Sequence, residues 1–145
     1  MTPRPLDVAT VQTKLRLIQD LLDDLAAAGQ VTGDALRGDR LLRHALERVL
    51  TQLVDLAVQV NSHVVAAQLG RAPNSYRQSF HDAVEAGLLT EDLADRLAPA
   101  VGLRNILTHE YATVNVDHVA AAVPRACADV ADYVRSVAQW LATRD

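Results

Sequence analysis

The feature that most constrains the fold is an aliphatic stripe running through residues 39–70. Leucine, valine and alanine recur there every three or four positions, which is the spacing of one face of an α-helix. The stripe consists of Leu42, Leu46, Val49, Leu50, Leu53, Leu56, Ala57, Val60, Val64 and Ala67. Asp39 is placed to cap this helix, and the pattern stops near Gly70. Because the stripe is wide, we expect a central helix that packs on more than one side.

Other segments show the same helical spacing, and short loops separate them. They cover residues 7–28, 75–86, 90–111 and 116–143, whereas residues 30–39 are predicted to form a loop. Pro99 should end a helix at Ala98 or kink it, because proline lacks the backbone donor that a helix interior uses. No segment alternates apolar and polar residues as a half-buried strand would. We therefore predict an all-α fold: an antiparallel bundle of about five helices, forming a single domain over residues 1–145.

The composition limits the classes of partner. Aromatic residues make up only 3% of the 145 residues, so the core must be aliphatic. The formal net charge is −4, whereas proteins that coat nucleic acid usually carry a basic surplus, so any nucleic-acid contact must be local. The single cysteine, Cys127, excludes an internal disulfide. No apolar run has the length of a membrane span or the form of a signal core, and we expect a cytoplasmic protein without membrane contact.

The residues with the most chemical capability stand together in "GLRNILTHEYATVN", residues 102–115. The imidazole of His109 is the natural proton shuttle near neutral pH, and the guanidinium of Arg104 can grip a phosphate through two parallel hydrogen bonds. One arginine and one histidine at a phosphodiester suffice in principle for metal-free RNA cleavage. His109 would take the proton of a ribose 2′-OH, and Arg104 would stabilise charge on the phosphoryl oxygens. The products would carry a 2′,3′-cyclic phosphate and a free 5′-OH.

Helix geometry separates these two side chains within one chain. Five residues at about 100° each place Arg104 and His109 roughly 140° apart around an ideal helix. Either the helix ends near His109, or the site combines the two groups from two chains, as a twofold homodimer would allow. Ordinary structural roles stay open as well. Arg104 could pair with Glu110 or Asp95, and His109 could interact with the helix dipole.

Other polar residues have open interpretations too. Asn61 interrupts an apolar run, and its amide could position a substrate or form a hydrogen bond across the bundle. Arg40, Arg43 and Arg48 could contact RNA phosphates or form a solvated helix face. The five histidines and the cysteine lack the spacing of a metal site, and no glycine-rich phosphate loop is present. We therefore expect neither a metal nor another cofactor.

Three segments, the last of which ends in the cluster just described, resemble one known family and follow one another along the chain in the family's order. "GLRNILTHEY" is similar to the Arg-x4-His-x-Tyr signature of the HepT-like ribonuclease toxins of the HEPN superfamily. "LLRHALERVLTQLVDLAVQVNSHVVA" resembles the family's long second helix, and "APNSYRQSF" resembles its Pro-x-Ser-Tyr-x-x-x-Phe segment. The run "AGLLTEDLADRLAPAVGLRNILTHEY" resembles the approach to the signature. The similarity covers roughly residues 39–140.

The resemblance implies an all-α homodimer that cleaves mRNA or tRNA without metal, with paired signatures at a shared cleft. Arg104 and His109 would be catalytic, and Asn105 would help to orient substrate or hold the helix end. The partner would be a minimal nucleotidyltransferase (MNT) antitoxin of a type VII-like toxin–antitoxin pair. In this family that antitoxin can transfer AMP to the signature tyrosine, here Tyr111, which would block the site by occupancy and charge. The alternative is a non-catalytic helical module that docks a nucleotidyltransferase.

Overall fold

The protein is a bundle of helices in a computed structural model that describes residues 5–109 and 113–144. Six helices lie within these ranges: α1 (Val8–Ala27), α2 (Gly33–Gly38), α3 (Arg40–Leu69), α4 (Tyr76–Glu85), α5 (Glu91–His109) and α6 (Val116–Ala142). No strand occurs in the described part of the chain. The predicted all-α class is confirmed.

Side-chain caps begin the helices where the sequence predicts them. The carboxylate of Asp39 accepts a hydrogen bond from the backbone N–H of Leu42 at 3.0 Å, and Thr90 Oγ1 accepts one from Leu93 at 3.1 Å. The amide oxygen of Asn115 plays the same part for the first turn of α6. At its other end α3 stops at Gly70, whose φ of 70° lies in the left-handed region that favours glycine.

Helix α3 is the centre of the bundle. It packs against each of the other five helices, as its wide aliphatic stripe predicts. Its buried residues lie on more than one face and include Leu53, Val54, Ala57 and Val58. The core is almost wholly aliphatic, and the large aromatic side chains buried in it are Phe80, Tyr133 and Trp140. Side chains on the other helices are therefore positioned relative to α3.

The structure corrects one prediction of an element boundary and decides between the alternatives of another. Residues 30–39, predicted to form a loop, contain the short helix α2, so the bundle has six described helices where about five were predicted. Thr32 caps α2, and Leu36 within this helix is 1% exposed. A single buried leucine between two glycines is too short a pattern to predict a helix from the sequence. At Pro99 the sequence predicts either an end at Ala98 or a kink, and of these the end does not occur, because α5 continues through the proline. Leu97 and Val101 are buried on either side of the proline, and this packing holds the helix together across the missing hydrogen bond.

A buried polar network links α3, α4 and α6. The hydroxyl of Tyr133 lies 2.6 Å from Asn61 Oδ1 and 3.0 Å from the carbonyl oxygen of Ala57. Asn61 Nδ2 donates to Ser79 Oγ at 3.3 Å, and Ser79 Oγ donates to the carbonyl oxygen of Tyr76 at 2.7 Å. Tyr133, Asn61 and Ser79 are each 0% exposed. The network therefore fixes the first turn of α4 against the middle of α3.

None of the helices in residues 5–109 and 113–144 combines the length and the apolar character that a bilayer crossing requires.

We expect Tyr133→Phe to lower the free energy of unfolding by about 1–3 kcal/mol, because it leaves buried acceptors without their donor. Urea denaturation monitored by circular dichroism measures the change. Tyr76→Phe is the matched control, since it removes the hydroxyl of a partly exposed tyrosine and should cost less. Equal losses in the two variants would contradict a special role for the network.

Candidate catalytic site

Arg104 projects from α5 towards α3 and α4. Val101 is buried one turn earlier, and Leu103 and Leu107 pack against the core, so the orientation of this part of α5 is set by apolar contacts. These contacts turn position 104 inward at the edge of the core. The side chain of Arg104 is 15% exposed, which keeps its guanidinium at the surface but largely shielded from solvent.

The guanidinium of Arg104 contacts three side chains. Its Nε donates to Asp55 Oδ1 on α3 at 2.8 Å. Its Cζ lies 4.3 Å from the centre of the Tyr76 ring on α4, and Nη2 donates to the Tyr76 hydroxyl at 3.3 Å. A longer contact of 3.5 Å joins Nη1 to Asn105 Oδ1. The cluster of Arg104, Asp55 and Tyr76, which we call the arginine clamp, therefore joins three helices.

The surroundings of Tyr76 keep its phenol neutral. Burial raises its pKa above the ordinary value, and its interaction with the Asp55 carboxylate raises the pKa further. The positive charge of Arg104 acts in the opposite direction but is the smaller influence. A neutral hydroxyl can accept a hydrogen bond from Arg104 and donate one to Asp55, so both neighbours are satisfied.

Among the described residues, the acidic partner of Arg104 is one that the sequence did not suggest. Asp95 is exposed and lines a groove between α4 and α5, and Glu110 lies outside the described residues. Asp55, 49 residues earlier in the chain, forms an ion pair with Arg104. Sequence reasoning missed Asp55 and the contact with Tyr76. One signal was present, since Asp55 is the only acidic residue between Arg48 and Gly70.

His109 does not join Arg104 within one chain. It is the last residue of α5 and is exposed, whereas Arg104 points inward to α3 and α4. Because α5 is helical through His109, the separation of roughly 140° around the helix axis applies, with about 7.5 Å of rise along it. Asn105 is exposed beside Arg104. Tyr111, the candidate modification site, lies outside the described residues.

Asn61 belongs to the core and not to a surface that RNA could reach. Its side chain is 0% exposed, and both ends of its amide are bonded, to Tyr133 and to Ser79. Of the two interpretations that the sequence leaves open, the structure shows the hydrogen bond across the bundle. The interpretation that Asn61 contacts a substrate is therefore wrong, because a buried amide whose hydrogen bonds are already formed cannot contact a ligand.

An open groove of about 260 Å³ meets the clamp at Asp55, which is one of its lining residues. It lies between α1 and α3 and is lined by Leu17, Leu21, Arg48, Gln52, Asp55, Leu56 and Gln59. Arg48 is exposed there, whereas Arg43 pairs with Glu47 on its own helix. Among the described residues, no group of three or more His, Cys, Asp or Glu side chains is arranged to hold a metal ion.

The chain is similar to proteins of known activity. A family model described as HepT-like, Ribonuclease HepT-like, matches residues 12–137. A tRNA nuclease HepT of Aphanizomenon flos-aquae is 28% identical over 133 residues, covering 92% of this chain and 90% of that protein. An mRNA nuclease HepT of Shewanella oneidensis is 27% identical over 127 residues, covering 88% and 90%.

Solved structures share the fold. A tri-AMPylated Shewanella oneidensis HEPN toxin in complex with MNT antitoxin superposes with a TM-score of 0.80 at 24% identity, covering 90% of this chain and 97% of the toxin chain. YutE of Bacillus subtilis, a cytosolic protein of unknown function, has a TM-score of 0.81 at 17% identity, with coverage of 96% and 93%. Because the identities are only 24% and 17%, these two likenesses show a shared arrangement of helices and nothing further.

We expect Asp55 and Arg104 to be energetically coupled. Because their side chains are only 25% and 15% exposed, a double-mutant cycle with Asp55→Ala and Arg104→Ala should give a coupling of about 1 kcal/mol in the free energy of unfolding. The pair Arg43–Glu47 is the control, since it has similar exposure but lies within one helix, where about 0.3–0.5 kcal/mol is typical. A smaller coupling for Asp55 and Arg104 than for the control would contradict this expectation.

Proposed function

The chain belongs to the HepT-like ribonuclease family, and from this premise we propose that it is the ribonuclease toxin of a toxin–antitoxin pair whose antitoxin is a minimal nucleotidyltransferase. The observation that carries the proposal is the extent of the family match, residues 12–137, which spans the bundle and includes both Arg104 and His109. The relatives named as tRNA and mRNA nucleases support RNA as the substrate class. The toxin that shares this fold was solved with an MNT antitoxin, which supports the class of partner. We propose the cytoplasm as the place where they meet.

The proposed reaction is a metal-independent transesterification. His109 takes the proton of a ribose 2′-OH, and the 2′ oxygen forms a bond to the adjacent phosphorus. The bond from phosphorus to the 5′ oxygen breaks, and the departing oxygen takes up a proton. Arg104 stabilises the negative charge on the non-bridging oxygens as the bonds change. The products are a 2′,3′-cyclic phosphate and a 5′-OH, and no external reactant is needed.

A homodimer is part of the proposal because one chain separates the two groups. The guanidinium of Arg104 faces α3 and α4, whereas the imidazole of His109 is exposed at the end of α5. A twofold axis beside the end of α5 would bring Arg104 of one copy to His109 of the other, twice in one cleft. Asn105, exposed next to Arg104, is then placed to contact the substrate.

The net charge suits a local contact with RNA. At −4 the protein as a whole repels a polyanion, so binding must come from positive groups concentrated at the cleft. Two copies of Arg104 in one cleft would supply such a concentration. An AMP chain attached to Tyr111 would place anionic phosphate beside these groups, and this explains how a nucleotidyltransferase would silence the enzyme.

The catalytic assignment predicts how single substitutions act. Wild-type protein incubated with RNA in EDTA should cut it and leave cyclic phosphate ends. We expect His109→Ala to reduce cleavage by about 10²–10⁴-fold and Arg104→Ala by about 10²–10³-fold. His44→Ala and Arg125→Ala remove other exposed side chains of the same types and should cleave like wild type.

Equal cleavage by wild type and His109→Ala would refute the role of His109. If wild-type protein does not cut RNA but binds the nucleotidyltransferase, the docking module is the better description.

The modification assignment predicts a specific product. Co-expression with an MNT antitoxin should add one or more AMP units to Tyr111, and the modified protein should lose ribonuclease activity because the new phosphates compete with substrate. Intact-mass and peptide mass spectrometry locate the adduct, and Tyr111→Phe is the control that should stay unmodified. AMP found on another residue, or full activity after modification of Tyr111, would contradict the assignment.

A further inference from the structure

We propose that Asp55 and Tyr76 are positioning residues that hold Arg104 in the orientation that transition-state stabilisation requires. The inference rests on the proposed function, because it concerns the arginine assigned to the reaction. Neither residue belongs to the signature in residues 104–111. Both come from other helices, Asp55 from α3 and Tyr76 from α4, and they meet Arg104 only in the folded bundle.

Asp55 binds Nε of Arg104, which leaves the outer edge of the guanidinium, formed by Nη1 and Nη2, able to contact a substrate. An arginine side chain carries five N–H donors. The contacts with described residues use Nε for Asp55, one donor of Nη2 for Tyr76 and one of Nη1 for the longer contact with Asn105. These contacts leave one N–H donor on Nη1 and one on Nη2 unused. Two donors on neighbouring nitrogens match the paired oxygens of a phosphate.

The ring of Tyr76 restricts a second motion of the Arg104 guanidinium, in addition to the one that Asp55 restricts. Its ring lies 4.3 Å from Cζ, so the planar guanidinium has an aromatic surface beside it while Asp55 binds its inner nitrogen. A carboxylate and a ring together restrain both rotation and tilt of the guanidinium, which neither would do alone. A group held in place before the reaction needs no reorganisation when charge develops on the substrate.

The two positioning residues are themselves fixed to each other through the core. Ser79 Oγ donates to the carbonyl oxygen of Tyr76 and accepts from Asn61, and Asn61 lies six residues after Asp55 on α3. Ser75 caps α4 at the same turn, with its Oγ 3.0 Å from the backbone nitrogen of Gln78. The clamp therefore rests on the buried network rather than on a loop, which favours precise placement.

The charge of Asp55 gives the proposal a distinctive kinetic signature. A carboxylate beside Arg104 opposes the approach of a phosphate, so it weakens substrate binding even as it orients the arginine. Removing the charge should therefore lower kcat without raising KM. Substitution of a residue that only stabilises the fold would reduce the amount of active protein and leave KM unchanged. The melting temperature would then fall, and the smaller folded fraction would account for the lost activity.

The test is steady-state cleavage of a fluorescent RNA oligonucleotide by the purified full-length protein, with kcat and KM measured separately and the folded fraction measured by thermal unfolding. We expect Asp55→Asn to lower kcat by about 10–100-fold with KM equal to or below that of wild type, since small misplacements of a catalytic group have effects of this size. Tyr76→Leu should also lower kcat, and Tyr76→Phe, which keeps the ring, should lower it less. Asp55→Glu restores a carboxylate and should recover part of the loss, which also covers the case in which Asp55→Asn folds poorly.

Asp129→Asn is the matched control. Asp129 pairs with Arg96 between α5 and α6, and its side chain is 22% exposed, close to the 25% of Asp55. The control should keep wild-type kcat and KM. The proposal is overturned if Asp55→Asn and Tyr76→Leu keep wild-type kcat, if KM rises at constant kcat, or if the loss of folded protein accounts for the whole effect. Failure of the proposed function gives a different result, in which wild type and Arg104→Ala do not differ in cleavage.

Discussion

The hydrogen-bonded chain from Tyr133 through Asn61 to Ser79 is the interaction on which the geometry of the rest depends. The surrounding core consists mainly of leucine, valine and alanine, whose contacts are strong in sum but have no preferred direction. Helices joined only by such contacts could pack in more than one register at little cost. A buried amide and hydroxyl are satisfied in one register alone, because an unpaired polar group in the core is expensive.

The network reaches the surface through Tyr76. Ser79 holds the first turn of α4 against α3, and this brings the ring of Tyr76 and the carboxylate of Asp55 together at the guanidinium of Arg104. Arg104 is itself carried to that point by the apolar contacts of α5. The candidate site thus adjoins the core, and the charged groups at the edge of the core are held in place by the packed aliphatic bundle beneath them.

The sequence predicted most of the helices because each long one carries a periodic stripe and a recognisable cap. Helix α2 was missed because six residues bury too few side chains to form a period. The helix end at Ala98, one of two outcomes predicted for Pro99, does not occur because the packing of Leu97 and Val101 outweighs a local preference. For Arg104 the sequence offered nearby acids as partners. The isolated acidic position of Asp55 on α3 was the one signal for it, but nothing local relates positions 55 and 104. The roles of Arg104, His109, Asn105 and Tyr111 stay predictions.

By itself the sequence determined the helical class and the aliphatic core, and it singled out candidate residues for the chemistry, since these depend on composition and on spacing along one chain. The match to the HepT-like family over residues 12–137 agrees with the resemblance seen in the sequence. Only the tertiary structure decided that Asn61 is enclosed in the core and that Arg104 is held by Asp55 and Tyr76. The physical reason is that hydrogen bonds and ion pairs between helices depend on how those helices cross, and crossing is settled by the packing of the whole bundle.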